Sequence, residues 1–460
     1  MKGVSTNGYT VKKYTNMKIV YLITGSGGSF YCGNCYRDMI YLRAIRKVPG
    51  INASAIPLYL PPDITNIETG MDKNVFFGAI SMYLREKVPF LKNMPVFFDK
   101  LVDSGPMLRM AARRAGTTRT EGLEEMTLNM IKGENAFPEN ELQRLVDYLV
   151  KDGKPDIIHL SNALIVGLAR QIKKKIDVKI VCSLLNEDDW IDEMAEPYQS
   201  RAWKLISKEA PNVDYFLTPS NYFKELFITK TGIPGHNFHV VPLGFDPGDL
   251  AKIEHNSIWP SIGYFCRLSY QNGFDKLVDA FIELKKGNDL PGLTLHVSGG
   301  FTSDDKPFIA DQIRKIKVNG LKSHIRIYPE FHGDSKEKFF SNIDVMSVPV
   351  RKHDGYGLYI LESNSAGVPV VQPATGGFPE IISKTLGGII YSPDNVSELS
   401  ANLLKLLKDN DFRSSLGKQG KENVLAELSL EKMSEGLSKV YNSLIMSPPG
   451  RVATIPLKED

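Results

Sequence analysis

The 460-residue sequence predicts an α/β protein of two doubly wound parallel-sheet domains in tandem. Strand-like apolar runs alternate with amphipathic, helix-like stretches from end to end, the pattern of parallel sheets joined by crossover helices. The runs form two sets of six, and Pro, Gly and Asp cluster between them at Pro242–Pro260, which places the join there. Length agrees: at about 150 residues per domain, two to three cores are expected.

The first run, Lys18–Thr24, opens at Met17 in the form MKIVYLI and leads into the glycine loop Gly25-Ser26-Gly27-Gly28-Ser29. Residues 1–16 read as an extension without a role. Ala53–Tyr59, Asp156–Leu160, Val178–Leu184, Asp214–Thr218 and Phe238–Val241 complete the first set, with helix patterns at Asn140–Leu149 and Ala163–Ile176. The second set is Ser261–Cys266, Leu293–Ser298, Ile325–Tyr328, Val345–Val348, Val368–Gln372 and Gly388–Tyr391. Its helix patterns are Asp275–Lys286, Asp305–Lys317, Tyr359–Ala366 and Ser397–Lys408. The domains expected are therefore 17–245 and 246–428, with a terminal segment at 429–460. Two such sheets meet at a cleft at their carboxyl ends, where ligands of this fold class bind.

Composition narrows the function. Lys plus Arg is 56 and Asp plus Glu is 53, an excess too small for a dedicated nucleic-acid binder. No apolar run approaches the ~20 residues of a membrane span, and Ile19–Ile23 is too short for a signal peptide. A cytoplasmic protein is expected. Four cysteines are too few for a disulfide framework, and Cys32-Gly33-Asn34-Cys35 lacks the four ligands of a structural zinc site, so it reads as a reduced, structural pair, with a redox or metal role as the alternative its place between a strand and a helix pattern leaves open. Residues 65–135 break the alternation and read as a helical insertion. Within them Leu84–Arg119 carries eight basic residues against three acidic, interleaved with large apolar side chains. That composition suits either a solvated face or an anionic membrane surface.

The most informative segment is Asp354-Gly355-Tyr356-Gly357-Leu358-Tyr359-Ile360-Leu361-Glu362. The first acid falls in the loop after a strand and the second within the following helix. Gly355 and Gly357 would let the backbone approach a ligand. The helix N-terminus beyond them is a ready phosphate site. Glu362 can accept from vicinal hydroxyls, as on a ribose, and Asp354 can do the same for a sugar. The helix closes on Ala366-Gly367-Val368-Pro369-Val370-Val371, and a second glycine loop follows at Gly376-Gly377-Phe378-Pro379-Glu380.

In this order, the three motifs resemble the family 4 glycosyltransferases, retaining enzymes of the GT-B fold that use nucleotide-diphosphate sugars. The resemblance spans roughly residues 17–445 and is most specific in the second half. It implies that Glu362 holds the donor ribose and that Asp354 touches the transferred sugar. It implies donor contacts from Gly27, Gly28, Gly355, Tyr356, Gly357 and Leu358. Gly263-Tyr264-Phe265-Cys266-Arg267-Leu268-Ser269-Tyr270-Gln271-Asn272-Gly273 is similar to the family segment whose Arg and Lys grip the diphosphate. Arg267 matches, and Asn272 stands where the family has Lys. Asp354 stands where Glu is usual, which draws the carboxylate back by about 1.5 Å. On the acceptor side the family pattern falls on His159, Asn162, Glu187 and Asp188, and the Val240–Asp246 stretch matches its hinge side. A bacterial subgroup of the family shares further features, among them Asn162-Ala163-Leu164 and Pro242-Leu243-Gly244.

The implied chemistry is glycosyl transfer with retention, with Arg267 and backbone N–H groups stabilising the diphosphate in place of a metal. No cofactor or metal is implied. The partners implied are a nucleotide sugar and a glycan or lipid-linked acceptor in cell-surface polysaccharide synthesis. An enzyme peripheral on the inner membrane face would suit the basic stretch. The helix pattern Leu430–Leu444 is expected to cross back onto the first domain. Two readings stay beside this one: a GT-B epimerase or hydrolase, which would consume donor without acceptor, and a silent sugar-nucleotide binder.

Overall fold

The computed structural model describes residues 16–24, 33–58, 120–133, 139–255, 260–287 and 289–446. Gly27, Gly28, Cys32 and the basic stretch Leu84–Arg119 lie outside the described residues, and of the 65–135 insertion only residues 120–133 are described, with a helix at Glu124–Lys132.

All twelve expected strands are present. In the first domain these are β1 (Met17–Ile23), β2 (Ile51–Pro57), β3 (Ile157–Leu160), β4 (Lys179–Ser183), β5 (Tyr215–Thr218) and β6 (Phe238–Val240). In the second they are β7 (Ser261–Phe265), β8 (Thr294–Ser298), β9 (Ile325–Ile327), β10 (Val345–Met346), β11 (Val370–Pro373) and β12 (Gly388–Tyr391). The sheet orders are β2-β1-β3-β4-β5-β6 and β12-β11-β10-β7-β8-β9, with every pairing parallel. Strand order reverses between β1 and β3 in one sheet and between β7 and β10 in the other. Loops leaving the carboxyl ends at such points are where a ligand sits.

These strands read as near-continuous apolar runs because helices cover both faces. In β1, Ile19, Tyr21 and Ile23 enter one core while Val20 and Leu22 enter the other. That is the period-two alternation of a strand with two buried faces. The helices between strands are bounded by ordinary signals. Ser220 caps Asn221–Thr231 by accepting from the Phe223 N–H, and Gly232 ends it at φ 69°.

The chain crosses between domains twice, side by side. The Phe245 N–H donates to the Leu428 carbonyl at 2.8 Å, and Phe245 bridges Ser429. A Cβ on Gly244 would lie 2.4 Å from the Ser429 carbonyl oxygen, so the two crossings can touch only through glycine. Beyond them the helix Leu430–Met446 buries Leu430, Met433, Leu437, Val440, Tyr441 and Leu444 on one stripe. It packs on the helix Gly33–Arg46 of the first domain, and its Tyr441 hydroxyl lies 2.7 Å from that of Tyr21.

Candidate active site

The carboxyl ends of the two sheets face each other, and the loop after β10 is held by loops of the first domain. Asn186, after β4, donates through Nδ2 to Asp354 Oδ1 at 3.3 Å, and its Oδ1 accepts from the Gly355 N–H at 2.7 Å. The Ser220 hydroxyl, after β5, donates to the Gly355 carbonyl at 2.8 Å, and the Tyr356 hydroxyl donates to the Leu243 carbonyl at 2.7 Å. Glu380 accepts from the N–H groups of Asn221 at 2.9 Å and Tyr222 at 2.6 Å. A carboxylate of one domain thus caps a helix N-terminus of the other, where its charge also meets the favourable end of the dipole. Lys352 pairs with Asp189 across the same seam.

After this loop Leu358 opens the helix Leu358–Ser365, whose first turn has N–H groups with no intrahelical acceptor. Asp354 precedes it and is half-buried. Glu362 is 1% exposed, and its Oε1 accepts from Lys336 Nζ at 3.0 Å. Lys336 comes from the helix Gly333–Ser341 and was invisible to motif reasoning.

The other residues predicted for the donor side have partners within the protein. Asn272 Nδ2 donates to the Arg267 carbonyl at 2.9 Å and holds the loop together. Arg267 forks onto Asp305 through Nε and Nη2, both at 2.9 Å. Packing alone already requires glycine at 355 and 357. A Cβ on Gly355 would lie 2.7 Å from Asn186 Oδ1, and one on Gly357 2.5 Å from the Phe378 ring. Tyr356 is an interdomain strut, 2% exposed. Lys352, directly before His353 and Asp354, brings a cation to this loop. Burial works against its charge, yet the Asp189 and Asp354 carboxylates hold its pKa above the ordinary lysine value.

The acceptor set also divides. His159 is a core residue: Nδ1 meets the Tyr441 hydroxyl and Nε2 the Ser183 hydroxyl, both at 2.6 Å, and the ring stacks on Tyr21 at 4.4 Å. With both nitrogens satisfied inside the protein, it has none for an acceptor. Asn162 caps the short turn Ala163–Ile165, accepting from the Leu164 N–H at 3.0 Å. Glu187 straps two strand ends together, accepting from the N–H groups of Ala163 at 3.1 Å and Leu185 at 2.9 Å. Burial pushes its pKa up to about 7 against the opposing charge of Arg37. Arg37 itself is 1% exposed and donates to Asp38 and to the Ser161 carbonyl. Asp188 alone keeps an idle oxygen: it is 8% exposed and its Oδ1 is buried without a hydrogen-bond partner. Burial, then the Asp189 and Glu187 charges, push its pKa up to about 7. Among the described residues, no three His, Cys, Asp or Glu side chains group to hold a metal ion. Cys182 and Cys266 are buried free thiols.

Burial pushes the His159 pKa down to about 3. The unfolded chain therefore takes up this proton first, and the stabilisation is complete above pH 6.5 and lost as pH falls towards 3. Relative to a His159→Gln variant, wild type should lose about 1.4 kcal/mol per pH unit between pH 6.5 and 4.5. Urea unfolding of both proteins across that range checks it. A constant difference would show that His159 is not buried as described.

Two parallel sheets of this order, meeting at their carboxyl ends around a loop-and-helix acid pair, define a two-domain glycosyltransferase architecture. Residues 132–249 match the family described as Glycosyltransferase Family 4, and residues 250–423 match Glycosyl transferases group 1. Together these adjacent matches cover well over half of the chain, and it belongs to this glycosyltransferase family. Among curated relatives, it is 26% identical over 257 residues to a GDP-mannose-dependent monoacylated alpha-(1-6)-phosphatidylinositol monomannoside mannosyltransferase of Corynebacterium glutamicum, over 52% of this chain and 64% of that one. It is 25% identical over 254 residues to the GDP-mannose-dependent alpha-(1-6)-phosphatidylinositol monomannoside mannosyltransferase of Mycobacterium tuberculosis, over 52% of this chain and 64% of that one. The chain thus spans less than two thirds of the length of these relatives. Among solved structures, sucrose-phosphate synthase of Thermosynechococcus elongatus superposes with a TM-score of 0.66 at 16% identity, covering 93% of this chain and 99% of that one. Anabaena HepE in complex with UDP gives 0.63 at 15%, covering 93% and 100%. These likenesses establish the GT-B fold. No helix among the described residues is long and apolar enough to cross a membrane.

Proposed function

We propose that the protein is a retaining, metal-independent glycosyltransferase. It would move a hexosyl group from a nucleotide-diphosphate sugar to a glycan or lipid-linked acceptor in cell-surface polysaccharide synthesis. The observation that carries this reading is the placement of Asp354 at the seam where both sheets end. Glu362 lies about one turn into the helix that follows, and the idle Asp188 oxygen lies in the short helix Glu187–Ile191, directly after Asn186. Relatives whose names specify GDP-mannose and phosphatidylinositol mannosides make GDP-mannose the first donor to try and a lipid-linked acceptor the first class of acceptor. The basic, apolar stretch Leu84–Arg119 suits a cytoplasmic enzyme working against an anionic membrane face that carries such an acceptor.

In this reading Glu362 binds the ribose hydroxyls and Asp354 a hydroxyl of the transferred sugar. The helix N-terminus at Leu358 and the Lys352 charge stabilise the departing diphosphate. The bond between the anomeric carbon and the phosphate oxygen breaks. The acceptor oxygen bonds to the same face of that carbon, and its proton passes to the departing phosphate. Asp188 accepts a hydrogen bond from the acceptor hydroxyl and orients it. Only the ionised carboxylate does this well, so kcat/KM should rise with pH through about 7. Asp188→Asn should flatten that rise while leaving nucleotide binding unchanged. A pH–rate series with GDP-mannose and a glycolipid acceptor tests both, and an unaltered profile in the variant would remove Asp188 from the acceptor site.

A further inference from the structure

We propose that Asn186 is the positioning residue for Asp354, so that the donor-site acid is set by contact between the domains. This rests on the donor-site reading of Asp354 given above. Three observations carry it.

First, Asn186 sits at φ 60°, ψ 29°. That left-handed backbone suits Asn or Gly and few other residues. It brings both ends of one amide onto consecutive residues of the opposite domain, Nδ2 onto Asp354 and Oδ1 onto the Gly355 N–H. Second, the bonds to the Asp354 carboxylate fall on one oxygen. Oδ1 accepts from Asn186 at 3.3 Å and from the Tyr356 N–H at 3.0 Å. Among the described residues Oδ2 accepts none, which leaves that oxygen for a sugar hydroxyl. Third, the fit is tight, because any side chain at position 355 would collide with Asn186 Oδ1. An aspartate is one methylene shorter than the family's glutamate and has less reach of its own. A brace from the other domain supplies the orientation.

Mere adhesion of the domains does not need this contact. Glu380 on Asn221 and Tyr222, and Tyr356 on Leu243, already join them. Among the described residues, the ionisable groups near the contact are Asp354, Lys352, His353, Cys266 and Tyr359 from the second domain and Glu187, Asp188, Asp189 and Tyr222 from the first.

Two variants separate the amide from the backbone. Asn186→Gly keeps the left-handed conformation and removes the brace. Asn186→Asp keeps the acceptor for Gly355 but sets an oxygen against Asp354 Oδ1. With the donor that wild type uses, Asn186→Asp should lower kcat about 30-fold at pH 8 and leave the donor KM within about threefold. Its rate relative to wild type should recover as pH falls and the two facing carboxylates share a proton. Asn186→Gly should lower kcat about tenfold, with no such recovery. The melting-point rise given by nucleoside diphosphate alone should be unchanged in both, because neither variant alters Glu362 or Lys352, to which the donor-site reading gives the ribose and the diphosphate. Rates within twofold of wild type in both variants, or the same pH profile in both, would overturn the proposal while the donor-site reading stands. A wild type that turns over no nucleotide sugar would overturn both.

Discussion

Asp354→Asn is expected to lower kcat about a thousandfold while leaving nucleotide affinity unchanged. The substitution is isosteric. The amide oxygen can still accept from Asn186 Nδ2 and the Tyr356 N–H, so the loop keeps its shape. What is lost is the negative charge against the sugar and its capacity to accept at the second oxygen. Losses of about 4 kcal/mol are typical when one charged or polar contact to a developing transition state is removed, which is about a thousandfold in rate. Steady-state kinetics beside a nucleoside diphosphate melting-point series separates the two quantities. A parallel loss of nucleotide binding would place Asp354 in the nucleotide site, and an unchanged kcat would remove it from the reaction.

Glu362→Gln is expected to weaken nucleotide binding about 100-fold. Two charge-assisted bonds from vicinal hydroxyls become neutral ones, a difference of roughly 2.7 kcal/mol. Stability should fall as well. Glu362 is 1% exposed and answers the charge of Lys336, whose side chain is 19% exposed. Removing one partner of a fully buried pair costs about 3–5 kcal/mol, and the partial exposure of Lys336 brings this to roughly 2 kcal/mol. Lys336→Met is the control, since it destabilises but leaves the carboxylate for the ribose. Calorimetry with GDP and UDP on both variants decides. Equal affinity in wild type and Glu362→Gln would make Glu362 purely structural.

The strands were legible because parallel strands covered on both faces are continuous apolar runs, and their ends shift by a residue or two for local reasons. The run Val345–Val348 shows one such reason. Its ladder stops at Met346, and the Val348 N–H instead donates to the Gln372 side chain at 3.3 Å. Motif order was equally legible, since Asp354, the glycines and Glu362 are neighbours in sequence.

Less legible was what each side chain of a loop faces. His159, Asn162 and Glu187 lie at or just beyond the carboxyl ends of β3 and β4, where an acceptor would sit, but each satisfies a backbone or core partner. Glycines announce a close approach without saying of what, and here Asn186 and Phe378 fill the space. The decisive partners are distant in sequence, Lys336 being 26 residues from Glu362 and Asn186 168 residues from Asp354. Lys352 could have been found, as a cation two residues before the donor-loop acid. Asn186 left a fainter trace, an asparagine between a strand end and an acidic run, where a left-handed residue often turns the chain.

The central claim is transfer from a nucleotide-diphosphate sugar with retention. It is tested most directly by incubating the protein with GDP-mannose, UDP-glucose and related donors, with and without a glycolipid acceptor. Nucleoside diphosphate release and the anomeric configuration of the product are then read by NMR. The account predicts release that rises with acceptor for one donor, and a product carrying the donor's own anomeric configuration. Inversion at the anomeric carbon would contradict it, as would release from no donor together with no melting-point shift by any nucleotide.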